Sequence, residues 1–89
     1  MKLRVLVRPE VAQEMGEIRD WYETQRQGLG DDFAAALKDR YQLIGERPEL
    51  FAVIGRDVRA TTLSRFPYNI YYVVGPEYID IIDTWRLRT

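Results

Sequence analysis

The first half of the chain carries apolar residues at the spacing of an amphipathic α-helix. Four of them lie four, three and four positions apart and therefore share one helix face. These residues are Val11, Met15, Ile18 and Tyr22. Pro9 and Glu10 suit the first turn, because proline fixes φ near the helical value and a carboxylate is favoured at the positive end of the helix dipole. The pattern predicts a first helix within residues 10–26.

A second apolar stripe follows a break that contains two glycines. Glycine is costly inside a helix and suits the left-handed conformation beyond its end, so residues 27–30 are expected to end the first helix. Asp31 or Asp32 is expected to cap a second helix, which ends near residues 45–47 because the residue before Pro48 avoids helical geometry. The second stripe consists of Phe33, Ala36, Leu37, Tyr41 and Ile44. The short connection predicts an antiparallel helical hairpin.

The remaining segments have the pattern of β-strands. Leu3 to Val7 alternates in a way that suits a short strand, and aromatic and β-branched residues dominate the runs 58–63, 68–74 and 78–84. Short turns between these three runs predict an antiparallel meander. We therefore expect an α+β fold of order β-α-α-β-β-β, in which the N-terminal strand joins an edge of a small antiparallel sheet and the helices cover one face. All of residues 1–89 are expected to form a single domain.

Composition narrows the chemistry that the chain can perform. It contains no cysteine and no histidine, which removes disulfides, thiolate metal sites and the commonest general base. We expect no cofactor and no metal. The net charge of −1 gives no overall attraction to a polyanion, so direct DNA binding is not expected. Charges interrupt the apolar residues of the N-terminal segment, and we therefore expect neither a signal peptide nor a membrane span, but a cytoplasmic protein.

Several segments carry a family resemblance when taken in order. The most specific run reads Arg-Phe-Pro-Tyr-Asn-Ile-Tyr-Tyr from Arg65 to Tyr72, and it lies between a strand bearing Arg59 and a final strand that ends in arginines. The other segments are Trp21-Tyr22, Gly28 to Phe33, Pro48 to Phe51 and Trp85 to Arg88. Together they resemble the RelE/ParE toxin superfamily, most closely its ParE-like, plasmid-stabilisation members. The resemblance implies a small toxin that a cognate antitoxin neutralises.

The resemblance implies two alternative targets. A ParE-like toxin acts on DNA gyrase without being an enzyme, whereas a RelE-like toxin is an endonuclease that cuts mRNA on the ribosome. For the second alternative, the catalytic residues would be Arg59, Arg65, Tyr72 and Arg86, with the arginines on the scissile phosphate and the tyrosine in proton transfer. Many relatives have a histidine where this chain has Trp85, which favours gyrase. A third hypothesis is a non-toxic interaction domain of the same fold.

Two groups of residues are candidates for binding a partner protein. One consists of Trp21 and Tyr22, because a large aromatic beside the core stripe suits an interface anchor. The other is the end segment of Trp85, Arg86, Leu87 and Arg88. The acidic residues of the first helix are interpreted instead as a solvated face. They are Glu10, Glu14, Glu17, Asp20 and Glu23.

Overall fold

Both predicted helices are present in the computed structural model, which describes residues 3–87. Helix α1 spans Pro9–Gln25 and helix α2 spans Leu29–Glu46, so both helices end close to the predicted positions. The predicted stripes face the sheet. Val11 and Met15 are buried on α1, as are Phe33 and Ile44 on α2. The hairpin therefore covers one face of the sheet, as the apolar spacing predicts.

The sheet has five strands in the order β1-β5-β4-β3-β2. The strands are β1 (Arg4–Val7), β2 (Val53–Gly55), β3 (Val58–Thr62), β4 (Tyr68–Val74) and β5 (Tyr78–Arg86). The α+β prediction is confirmed, including the position of β1 at an edge. The sheet is mixed, however, because β1 runs parallel to β5 while all other neighbours are antiparallel. Parallel pairing needs a long connection, and here the helices and three strands separate the pair.

The sequence pattern does not predict strand β2 as a separate element. It has only three residues, all exposed, so no alternation of buried and exposed positions reveals it. It joins β3 through a turn in which Arg56 and Asp57 both adopt positive φ values of 46° and 65°. A two-residue turn of this kind has the twist that matches its flanking strands.

A β-bulge in the final strand decides which of its side chains point inward. Tyr71 lies opposite Asp83 and Tyr72 lies opposite Ile81, so Ile82 is an extra residue in β5. Before the bulge Ile81 is buried, and after it the buried residue is Thr84. This extra residue shifts the alternation of side chains, and it thereby changes which positions of β5 face the helices. Trp85 consequently points to the face of the sheet that the helices leave open.

The junction of the two helices differs from the prediction. Helix α2 begins at Leu29, after Gly28 with a φ of 88°, and neither Asp31 nor Asp32 caps it. The capping carboxylate belongs to Glu23 of α1, which accepts hydrogen bonds from the backbone N–H groups of Gly28 and Gly30, each at 2.9 Å. Glu23 thus stabilises the turn, in addition to being exposed as predicted.

Candidate functional site

A chain of aromatic rings runs from the core to the surface at the end of α1. Tyr22 contacts Phe33 and Phe66 with ring centroids 5.4 and 5.0 Å apart, and Phe33 in turn contacts Tyr68 at 5.8 Å. Trp21 packs edge-on against Tyr22 at 5.1 Å, yet 50% of its surface is exposed. We call these five residues the aromatic cluster. Trp21 is its exposed end, which is the arrangement of an interface anchor on a fixed base.

Two arginines lie beside Phe66 and Tyr68, two members of the aromatic cluster. Arg65 adopts a φ of 71°, and its guanidinium lies 5.9 Å from the Phe66 ring centroid and 3.7 Å from an Asp32 oxygen. Arg86 lies opposite Tyr68 in the β4–β5 ladder. Burial raises the pKa of Tyr68, whereas the nearby charge of Arg86 opposes that shift. Exposed guanidinium groups beside the aromatic cluster suit a partner that offers carboxylates.

The predicted partner-binding residues divide between the two faces of the sheet. Trp21, Tyr22 and Arg86 lie at the aromatic cluster. Trp85 points to the opposite, open face, where its indole N–H donates to Asp83 at 2.9 Å and 62% of its surface is exposed. Leu87 is exposed, and its N–H continues the β-ladder by donating to the Pro67 carbonyl at 2.7 Å. Arg88 lies outside the described residues.

The four residues of the RNase alternative do not converge. Arg59 and Tyr72 are cross-strand neighbours, and both bind backbone carbonyls of residues 48–51. Arg86 pairs with Tyr68, four residues from Tyr72 along β4, which corresponds to about 13 Å. Arg65 lies in the turn between β3 and β4. Burial also raises the pKa of Tyr72, which makes its hydroxyl a poorer source of a proton.

An apolar groove lies between α2 and the edge strand β1. Its volume is about 630 Å³, and its lining includes Leu3, Val5, Leu37 and Tyr41. A second hollow of about 260 Å³ adjoins it between the helices and shares Leu37 and Tyr41. We call the two together the α2–β1 groove. It exposes part of the predicted helix stripes, since Leu37 and Tyr41 are only half-buried.

The comparisons with known proteins identify the fold. Among solved chains of similar structure is one described as the chromosomal ParDE TA system from P. aeruginosa, with 17% sequence identity, 98% of each chain covered and a TM-score of 0.70. The two chains share one fold. The sequence matches no family model and no curated protein.

Neither a membrane span nor a metal site is found in the described part of the chain. Within residues 3–87, both helices are too short or too polar to cross a bilayer. In the same range, no three carboxylates come together in a way that could hold a metal ion.

Proposed function

We propose that this chain is the toxin of a type II toxin–antitoxin system, acting in the cytoplasm as a single domain and held inactive by a cognate antitoxin. The observation that carries the proposal is the match in fold, over 98% of both chains, to a chain of the ParDE system. The α2–β1 groove supports it. A small domain with an uncovered apolar groove gains stability when a partner fills it, because a partner that binds only the folded state shifts the folding equilibrium.

Within this proposal, the target is DNA gyrase and the chain is not an enzyme. RNA cleavage needs arginines gathered around a phosphate and a group that transfers protons. Here Arg59 and Tyr72 are engaged by backbone carbonyls of the segment after α2. The chain also has no histidine and a net charge of −1. Binding to a protein target requires only a complementary surface, and the exposed arginine Arg86 near the end of β5 is suited to that role.

The partner-binding residues are proposed to serve two contacts. Trp21 and Tyr22 are assigned to the antitoxin, because an aromatic on a packed base can be buried at small cost in conformational entropy. The end segment, with Trp85, Arg86, Leu87 and Arg88, is assigned to both the antitoxin and the target. Trp85 and Arg86 point to opposite faces of the sheet, so one bound partner can leave part of the segment uncovered.

The test combines growth with a purified target. Expressed from an inducible promoter without its genetic neighbour, the protein is expected to arrest growth with filamentation and a DNA-damage response. It is also expected to inhibit supercoiling by purified gyrase, while the product of an abutting reading frame restores growth. Cleavage of ribosome-bound mRNA with unaffected gyrase would instead establish the RNase alternative. Absence of growth arrest at verified expression of folded protein would support a non-toxic interaction domain.

A further inference from the structure

The open face of the sheet carries a tryptophan that is both exposed and fixed. Trp85 is 62% exposed, and its indole N–H donates to a carboxylate oxygen of Asp83 at 2.9 Å. The other oxygen of Asp83 accepts the Thr84 backbone N–H at 2.8 Å. The carboxylate thus holds the indole in one orientation, although more than half of the residue is exposed. An exposed ring with a fixed orientation loses little conformational freedom when a ligand stacks on it.

Side chains of β3 and β4 continue this surface across the sheet. Asn69 is the cross-strand neighbour of Trp85, and Tyr71 is that of Asp83. The Asn69 side chain accepts a hydrogen bond from the Thr62 hydroxyl at 2.6 Å and donates one to the Tyr71 hydroxyl at 3.4 Å. The residues between and beside them along β4 are buried under the helices, so both side chains lie on the open face. We call Asn69, Tyr71, Asp83 and Trp85 the open-face cluster.

The open-face cluster contains a carboxylate without a cation. Among residues 3–87, no arginine or lysine nitrogen lies within 4.0 Å of Asp83, whereas Asp80 on the same face is paired with Arg8 at 2.9 Å. Asp83 is half-buried, which strengthens its interaction with any charge that binds beside it. A carboxylate has about four lone-pair sites, so its two hydrogen bonds leave room for further donors. This negative charge beside aromatic rings favours a cationic ligand.

We propose that the open-face cluster binds an arginine side chain of the toxin's protein target, with the guanidinium stacked on Trp85 and hydrogen-bonded to Asp83. This inference rests on the proposed function for the identity of the partner. A guanidinium is planar, so it can stack on an indole ring while its edge donates to a carboxylate. A lysine ammonium offers no plane for stacking and is more strongly hydrated, which makes arginine the better fit.

Charge and position distinguish this ligand from two others. Aromatic side chains on a sheet also stack on nucleobases, but such sites carry cations that neutralise the phosphates. The open-face cluster has no cation, and Asp83 would repel a phosphate backbone. The antitoxin is assigned to Trp21 and Tyr22, which lie on the helix side of the sheet, and this leaves the open face to the target.

The first experiment follows the indole N–H signals of the isotope-labelled chain by NMR while a blocked Gly-Arg-Gly peptide is added. The Trp85 signal is expected to shift and saturate at millimolar peptide, whereas the Trp21 signal stays unchanged. A peptide with citrulline in place of arginine keeps the shape without the charge, and it is expected to bind about tenfold more weakly. Absence of saturation, equal affinity for both peptides, or a shift confined to Trp21 would overturn the proposal. So would tighter binding of oligouridylate, which would assign the face to RNA.

Variants separate the charge from the stacking surface. Asp83→Asn keeps an acceptor for the indole N–H and removes the charge, and it is expected to weaken binding of the arginine peptide about tenfold. The matched control is Asp39→Asn, which removes the same charge from an exposed position on α2 and is expected to leave the affinity unchanged. Trp85→Ala removes the ring and is expected to weaken binding several-fold. Unchanged affinity in both Asp83→Asn and Trp85→Ala would contradict the proposal.

Activity measurements identify the partner and separate this inference from the proposed function. Asp83→Asn and Trp85→Ala are expected to reduce inhibition of purified gyrase several-fold while leaving antitoxin affinity unchanged. Unchanged inhibition in both variants would refute the target contact and leave the toxin role intact. Loss of antitoxin affinity with unchanged inhibition would assign the arginine to the antitoxin and overturn the proposal. Binding of the arginine peptide to a chain that arrests no growth would refute the toxin role and retain the binding site.

Discussion

Arg59 and Tyr72 face each other across the β3–β4 ladder, and each hydrogen-bonds a backbone carbonyl of the same segment. The guanidinium of Arg59 donates to the Phe51 carbonyl at 2.6 Å, and the Tyr72 hydroxyl donates to the Pro48 carbonyl at 2.7 Å. Two strands thereby fix the chain where it leaves α2 and enters β2. Arg59 and Tyr72 are candidates for phosphate binding and proton transfer by sequence. In the structure, both stabilise the fold.

The hydroxyls of Tyr72 and Tyr41 differ in whether they have a hydrogen-bond partner, and their removal is therefore expected to change the free energy of unfolding in opposite directions. Tyr72→Phe removes the donor to the Pro48 carbonyl and is expected to lower the free energy of unfolding by about 1 kcal/mol. Tyr41→Phe removes a hydroxyl that is buried without a partner among residues 3–87, and it is expected to raise the same quantity by up to about 1 kcal/mol. Urea denaturation of the two variants checks both signs. Equal losses would mean that the Tyr41 hydroxyl is already hydrogen-bonded in the free protein.

A second pair of substitutions tests the contact between the helices. A Cβ atom at Gly30 would lie 2.7 Å from the Arg19 carbonyl oxygen and 2.8 Å from a carboxylate oxygen of Glu23. Gly30→Ala is therefore expected to cost about 1–3 kcal/mol, because α1 and α2 must move apart and the cap by Glu23 weakens. Gly16→Ala is the control, since nothing lies within 4 Å of its Cβ position and alanine is the better helix former.

Thermal unfolding distinguishes the two glycines. The expected gain for Gly16→Ala is about 0.5–1 kcal/mol, so the two midpoints should move in opposite directions from that of the unmodified protein. A Gly30→Ala midpoint at or above the unmodified value would show that the helices do not approach as closely as described.

The sequence predicts the helices well because many residues contribute to each stripe. Local details that depend on one residue are harder to predict. Glu23 belongs to an acidic helix face by spacing, and only its position relative to Gly28 and Gly30 in three dimensions makes it a cap. Trp85 and Arg86 are adjacent in sequence, but the bulge at Ile82 decides which of them faces the helices. Bulges leave no clear pattern in a run of apolar residues.

The arginines at the chain's end provide a test of target binding. Arg86 is exposed at the end of β5, so Arg86→Ala is expected to reduce growth arrest while changing the free energy of unfolding by less than about 0.5 kcal/mol. Arg88→Ala is predicted to act in the same direction. Growth arrest and thermal midpoint are measured for each variant and for the double variant. Unchanged arrest in the double variant would show that both are ordinary surface charges.

Trp21 provides the test of antitoxin binding. Half of its surface is exposed, and the other half rests on Tyr22, which the core holds in place through Phe33 and Phe66. An aromatic side chain held in this way loses little conformational freedom when a partner covers it. Trp21→Ala is therefore expected to weaken antitoxin binding by about 2 kcal/mol, which corresponds to about 30-fold in Kd.

The matched control for Trp21→Ala is Leu50→Ala. Leu50 is 49% exposed, close to the exposure of Trp21, but it lies after α2 and outside the aromatic cluster. It is expected to leave antitoxin affinity within about 0.5 kcal/mol of the unmodified protein, as a surface substitution away from special features should. Calorimetry with the separated partners measures both variants. Equal affinities for Trp21→Ala and the unmodified protein would mean that the antitoxin does not contact the aromatic cluster, and the exposed half of Trp21 would then be available to the target.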